Sequence, residues 1–172
     1  VPEGPVIANN TPLVSLWVLN KLYLLRALYN QVLIPLAVHE EFLAVNTASR
    51  QQALRNAPWI IPTSIQHPEQ SYTNAPLDNG EAAVLALAKE TDARLVIIDE
   101  RLGREHARRM GLRITGTLGV LLLAKEAGQI STVTPLIDQL LDNGLYLGER
   151  LIRRTLELAG ESIPDGDAEP DF

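Results

Sequence analysis

Two adjacent carboxylates, Asp99 and Glu100, follow directly on Leu95-Val96-Ile97-Ile98, a short run in which three of four residues are β-branched. Such a run is the mark of a strand covered on both faces. A strand that stops at an acidic pair holds its carboxylates at its carboxyl edge. There they can bind a cation, or cap the next helix, whose amino-terminal dipole favours negative charge. Asn9 stands in the same place after Pro5-Val6-Ile7-Ala8, within Asn9-Asn10-Thr11-Pro12, a sequence that also suits a helix start. Glu81, three residues after Asp78, forms the second half of a capping-box variant. Glu40 and Glu41 are neighbours on a helix that follows Pro35, so their side chains point about 100° apart and one of them faces solvent. Each of these residues has a structural use when taken singly. Together, the strand-end residues and two helix glutamates can line one cleft, and such a cluster repels itself unless a hard cation such as Mg²⁺ or Mn²⁺ neutralises it.

Other chemistries find less support. The chain has no cysteine, which excludes disulfides, thiolate zinc sites, iron–sulfur clusters and cysteine nucleophiles. His39, His67 and His106 have no metal-binding spacing, and no phosphate-binding glycine motif occurs, since Gly116 to Gly119 is only G-x-x-G at a helix start. Arg101, Arg104 and Arg108 recur at three- and four-residue spacing on one helical face beside the acidic pair. That face is either a grip for phosphates or an ordinary solvated surface with Glu105 as ion-pair partner. Arg150, Arg153 and Arg154 form a second basic group, read as solvated or in contact with a partner.

The elements that must position these side chains alternate in type. A strand at Pro5–Ala8 is followed by a helix from near Pro12 whose apolar pattern continues to about Tyr29. Val32–Ile34 reads as a strand cut by Pro35, which suits the first turn of a helix over Leu36–Ala44. Asn46 to Pro76 reads mostly as connection, punctuated by Pro58, Pro62, Pro68 and Pro76, with a strand suggested only at Trp59–Ile61. Strong helix formers then predict a helix from about Gly80 to Glu90. After the Leu95–Ile98 strand come a helix at Arg101–Met110, a strand at Leu112–Thr115, and a long apolar helix from Gly116 to Gly128. Helices at about Pro135–Asn143 and Gly148–Ala159 follow. In the long apolar helix, Val120–Leu123 is assigned to the core, with a dimer face as the alternative. This alternation predicts an α/β fold of three layers, with a mostly parallel central sheet and ligands collecting beyond the carboxyl ends of its strands.

The length of 172 residues, with 46% apolar and 21% charged residues, suits one folded domain. We expect that domain over residues 1–160, followed by a disordered acidic tail over 161–172. No apolar run is long enough to span a bilayer and no basic segment precedes a long apolar one, so no membrane role and a cytoplasmic location are expected. The formal net charge of −6 runs against the basic surface that usually marks nucleic-acid binding. An acidic cluster beside a local basic patch reconciles the two.

Three stretches resemble the PIN-domain superfamily, and within it a bacterial and archaeal subfamily similar to the VapC toxins. They are V-I-A-N-N-T-P-L from Val6 to Leu13, I-P-L-A-V-H-E-E-F from Ile34 to Phe42, and Leu77 to Gly128 with its L-D-N-G-E-A-A, L-V-I-I-D-E-R-L-G-R and G-L-R-I-T-G-T-L-G segments. The likeness covers roughly residues 5 to 150. It implies an acidic quartet that binds Mg²⁺ or Mn²⁺ for hydrolysis of RNA, carried here onto Asn9, Glu41, Glu81 and Asp99. Glu100 stands where relatives often have a second Asp. Thr11 and Thr115 or Thr117 would add hydroxyl contacts, and a homodimer and an antitoxin partner are implied as well. Asn9 departs from the pattern, which has Asp there. An amide oxygen can ligate Mg²⁺ but brings no charge, so weakened metal binding is expected.

Three functions follow as expectations: a metal-dependent endoribonuclease acting as a toxin, a catalytically weakened module that binds RNA or protein, and a receiver-like domain phosphorylated on a strand-end Asp. The last requires an acidic pair after the first strand, where this chain has Asn9 and Asn10.

Overall fold

Short runs of aliphatic residues build the sheet. In the computed structural model, which describes residues 3–67 and 77–163, β1 (Val6–Ala8), β2 (Val32–Pro35), β3 (Ile60–Thr63), β4 (Leu95–Ile97) and β5 (Ile114–Thr115) form one all-parallel sheet in the order β3-β2-β1-β4-β5. Val6, Ile7 and Ala8 are all buried although neighbouring strand residues point to opposite faces, so the sheet is covered on both sides. The expected α/β architecture with a parallel sheet is the observed one.

Helices α1 (Asn10–Val18), α2 (Tyr23–Tyr29), α3 (Leu36–Leu43), α5 (Asn79–Thr91), α6 (Arg101–Arg109) and α7 (Thr117–Glu126) flank the sheet. Helix α5 packs on β1 and β2, with α3 and α6 beside it, while α7 contacts α1, α2 and β5. In α7, Val120 and Leu121 are fully buried, which places them in the core, and Leu123 is exposed. Among the described residues no helix is long and apolar enough to cross a membrane.

Two elements depart from the sequence pattern. The apolar stretch from Pro12 to Tyr29 is two helices, because Asn20 takes a left-handed backbone (φ 55°) and turns the chain between them. The segment read as connection contains helix α4 (Thr47–Arg55), whose sequence TASRQQALR is mostly polar and sets only Ala53 and Leu54 half-buried against the core. Its one buried residue is Arg50, whose guanidinium lies 4.7 Å from the Trp17 ring centroid and 5.0 Å from that of Phe42. Arg50 Nη1 also donates to the Phe42 carbonyl at 2.8 Å. Cation–π stacking therefore adds to the short apolar contact of Ala53 and Leu54 in docking α4. Pro68 and Pro76 lie outside the described residues.

At the carboxyl-terminal end, α8 (Thr134–Asp142) and α9 (Glu149–Ala159) are tied together by Glu161. Its carboxylate accepts from the backbone N–H of Val133 (2.8 Å) and Thr134 (2.9 Å), from the Thr134 hydroxyl (2.6 Å), and from Lys125 Nζ (2.9 Å). Glu161, the first residue of the expected tail, is thus the acceptor for the free donors that open α8. Residues 164–172, the rest of that tail, lie outside the described residues.

Burial alone would raise the Glu161 carboxyl, but the Thr134 hydroxyl, the two backbone N–H groups and Lys125 outweigh it and bring the group down from 4.5 to about 2. A carboxyl depressed on folding stabilises the protein above its unfolded pKa, and that contribution fades as pH falls toward the folded value. Glu161→Gln is expected to cost about 1–2 kcal/mol at pH 7 after allowance for solvent screening. Urea melts of the two proteins should converge as the pH is lowered from 5 toward 2.

Candidate metal centre

The sheet order sends the chain from β1 to β2 on one side and brings it back to β4 on the other. The segments leaving β1 and β4 diverge, which opens a crevice at their carboxyl ends. Asn9 leaves β1 there: its backbone N–H donates to the Ile97 carbonyl at 2.9 Å and extends the β1–β4 ladder by one bond. It occupies the N-cap position of α1 without making a side-chain cap, so its carboxamide is available to the crevice. Asn9 Nδ2 donates to Glu100 Oε2 at 3.0 Å, and Thr11 Oγ1 donates to Glu100 Oε1. Asn9 Oδ1 is buried with no hydrogen-bond partner, as is Asn10 Oδ1.

Gly80, in the first turn of α5, leaves room for these groups. A Cβ at this position would stand 2.7 Å from Glu41 Oε2, 3.4 Å from Asp78 Oδ1 and 3.5 Å from Asn9 Oδ1. Oxygens from α3, from the start of α5 and from the end of β1 therefore gather over one glycine. Beside it lies a cavity of about 470 Å³ bordered by Glu40, Glu41, Asp78, Asn79 and Gly80. Glu81 is buried and completes the expected capping box, with Asp78 N–H donating to its Oε2 at 3.0 Å and its own N–H donating to Asp78 Oδ1 at 2.7 Å. Glu81 does cap the helix, but this engages only its Oε2. Oε1 points toward α6, 3.6 Å from where Gly103 would carry a Cβ.

The crevice is electrostatically unfavourable for its own acids. Desolvation raises the Glu41 carboxyl, the carboxylates of Asp78, Glu100 and Glu81 raise it further, and only the Asn10 side chain works the other way. Glu81 is also raised, first by burial and then by Asp78 and Glu100, against the Asp78 N–H bond and the charge of His106.

Asp99 is placed differently. Its Oδ1 accepts from Thr117 N at 2.7 Å and its Oδ2 from Thr117 Oγ1 at 2.6 Å, so it caps α7 and not the helix that directly follows it. A Cβ on Gly116 would stand 2.6 Å from Asp99 Oδ1 and 3.1 Å from Arg104 Nη1, so any larger residue here would have to displace the Asp99 carboxylate. Burial raises the Asp99 carboxyl, and the Thr117 bonds and Arg104 oppose that. Hydrogen bonds and charge thus link Asn9, Thr11, Glu41, Glu81 and Glu100, while each oxygen of Asp99 accepts a bond from Thr117. Thr117 is buried and spends its hydroxyl on Asp99, and the Thr115 hydroxyl lies against Gly119.

The three arginines do not share a role. Arg101 is 89% exposed and pairs with Glu105 at 3.1 Å, and Arg108 is exposed. Arg104 is turned inward and donates to the Ile98 carbonyl at 2.9 Å, which holds the end of β4. Asp78 is the crevice residue that the sequence pattern assigned only to capping. The signal was present, because a capping box necessarily brings its aspartate beside its glutamate.

A family model described as a PIN domain (DUF3368) matches residues 5–161. The chain belongs to the PIN-domain family. No curated protein matches it. PIN domains are commonly nucleases and typically bind divalent metals, which makes the fit of this crevice to a cation a question of its donor set. Among the described residues, no three acidic or histidine side chains already surround one point at coordinating distance. The chemistry of the set nonetheless fits a hard cation. The donors are oxygens, the buried Asn9 Oδ1 lacks a partner, Gly80 keeps the space clear, and burial together with the neighbouring carboxylates raises Glu41 and Glu81. In this PIN domain Asn9 also fits its neighbours: its amide donates to Glu100, where an aspartate would repel it.

Proposed function

We propose that this PIN domain is a Mg²⁺- or Mn²⁺-dependent endoribonuclease of the VapC-like type, the toxin of a toxin–antitoxin pair. The observation that carries the nuclease reading is the gathering of Glu41, Asp78 and Asn9 oxygens over Gly80, beside Glu81 and Glu100. The resemblance of the sequence supports the toxin role, the antitoxin partner and a homodimer. Glu41, Glu81 and Glu100 would hold the cation, with Asn9 Oδ1 as a neutral ligand. Asp99 acts one step back, fixing α7 against the end of β4 through Thr117.

A bound Mg²⁺ or Mn²⁺ supplies an activated water and stabilises the departing oxygen of the phosphodiester. The chain's own groups do the rest. Thr11 and Asn9 orient the Glu100 carboxylate, and the Asp78–Glu81 capping box fixes Glu81 against the crevice wall. Exposed Arg101 and Arg108, on the helix that Glu100 opens, offer charge to the phosphates flanking the scissile bond. A quenched single-stranded RNA substrate should be cleaved in Mg²⁺ or Mn²⁺ and spared after EDTA. Absence of cleavage in both metals, from protein with an intact melting transition, would exclude the enzymatic reading.

The Asn9–Glu100 hydrogen bond favours a second reading, a PIN domain that binds RNA or protein without turnover, because it satisfies part of the acidic set without a cation. Tight RNA binding with no EDTA-sensitive cleavage would select it.

A further inference from the structure

Far from the acidic crevice, a second cavity combines aromatic rings, carboxamides and positive charge. Its volume is about 220 Å³, and Trp17, Tyr23, Trp59, Asn20 and Asn56 line it over a floor that includes Ala57. That is below the roughly 300–1,000 Å³ of drug-sized sites and suits a single ring system. Trp17 lies near the carboxyl end of α1 and Trp59 just before β3, so the pocket sits at the sheet edge opposite Asn9, Glu81 and Glu100.

Each ring already carries a cation on one face. Lys21 Nζ lies 5.7 Å from the Tyr23 centroid, the Arg26 guanidinium 5.7 Å from Trp59, and that of Arg50 4.7 Å from Trp17. Trp59 is anchored by its Nε1 donating to the Leu22 carbonyl at 3.1 Å, and Arg50 and Phe42 brace Trp17 from behind. Tyr23 is 41% exposed and Arg26 is exposed, so the mouth is open.

The charge distribution is the second observation. Between residues 4 and 67 the acids are Glu40 and Glu41 alone, both at the crevice, whereas Lys21, Arg26, Arg50 and Arg55 all lie on or between the helices that frame the pocket. In a chain of net charge −6, this segment carries an excess of positive charge, with Lys21 and Arg26 beside the Tyr23 and Trp59 rings and Arg50 buried against Trp17. A ligand suited to it is flat and apolar on its faces, polar at its edges and anionic overall. Aromatic rings stack on bases of any sequence, carboxamides bond to base edges, and Lys and Arg take the phosphates.

We propose that this pocket takes one unpaired base of a single-stranded RNA, with Lys21 and Arg26 on its phosphates. The choice of RNA rests on the ribonuclease reading above. The site holds the strand at a point remote from the crevice, so the enzyme would discriminate single strands from duplexes by binding as well as by chemistry.

Trp17 and Trp59 are the chain's only two tryptophans, and both line the pocket, so intrinsic fluorescence reports on it directly. The experiment titrates the full chain in EDTA, where cleavage is suppressed, with a single-stranded RNA oligonucleotide, a duplex of the same length, and AMP. Saturable quenching by the single strand, weakened by salt, is expected, with little by the duplex or by AMP at the same concentration. Tyr23→Ala and Arg26→Glu, both at exposed positions, should each weaken the single-strand titration by about tenfold or more. Equal quenching by the duplex, quenching by AMP alone, or titrations unchanged in both variants would overturn the proposal. So would RNA that leaves the fluorescence untouched while a protein partner quenches it. Cleavage is read separately in Mn²⁺: cleavage without quenching removes the pocket and leaves the nuclease, and quenching without cleavage does the reverse.

Discussion

Glu81→Gln is expected to lower metal-dependent RNA cleavage by at least about 100-fold, the upper end of what even outer-shell changes cost at metal sites. The substitution separates the two uses of this residue. Glutamine can still accept the Asp78 N–H bond and complete a capping box, so α5 should keep its start and the melting temperature should change little. What disappears is one negative charge in a buried position facing α6 and the crevice. Circular dichroism melts alongside initial rates in Mn²⁺ separate the two effects. A variant that cleaves normally would return Glu81 to a purely capping role, and one that fails to fold would be recognised by its melt.

Asn9→Asp should act in opposite directions with and without metal. The amide of Asn9 donates to Glu100 Oε2 at 3.0 Å, and an aspartate would set two carboxylates against each other in a crevice where Glu41 and Glu81 are already raised. The metal-free variant is therefore expected to melt several degrees lower, consistent with a loss on the order of 1–3 kcal/mol for breaking such a bond. Mn²⁺ should more than restore it, with an affinity about 10–100-fold above that of the parent, because a fourth charge replaces a neutral ligand. Thermal shift across a Mn²⁺ titration reads both signs. If the metal-free variant is as stable as the parent and Mn²⁺ adds nothing, the Asn9–Glu100 pair is not at a cation site.

Much of this fold could be read from the chain because local pattern and tertiary role agree. The Leu95–Ile98 run has to be a covered strand, and Asp78 with Glu81 has to start a helix; both do. The pattern fails where structure depends on distant partners. Helix α4 is mostly polar, with only Ala53 and Leu54 half-buried against the core, and it is held besides by Arg50 packed against Trp17 and Phe42, a contact between residues more than thirty positions apart at its longest. The turn at Asn20 is invisible because Leu16, Leu22 and Leu25 are buried on both sides of it, which preserves an apolar rhythm across the break.

The site divides along the same line. The sequence places Asp99 and Glu100 at the end of β4 but cannot say which of them enters the crevice. Thr117 donates to both oxygens of Asp99, with Gly116 leaving room for the carboxylate, while Glu100 accepts from Asn9 and Thr11. Asp78 was legible as a cap, and its nearness to Glu41 follows only once α3 and α5 pack side by side.

The central claim, a cation held at the carboxyl ends of β1 and β4, is tested most directly by crystals soaked in Mn²⁺ and measured at the manganese edge. An anomalous peak bounded by Glu41, Glu81 and Glu100 oxygens at coordinating distance, with Asn9 Oδ1 turned toward it, is the predicted result. A peak on Asp99 and away from Glu100, or no peak at a Mn²⁺ concentration that saturates the melting shift, would contradict it.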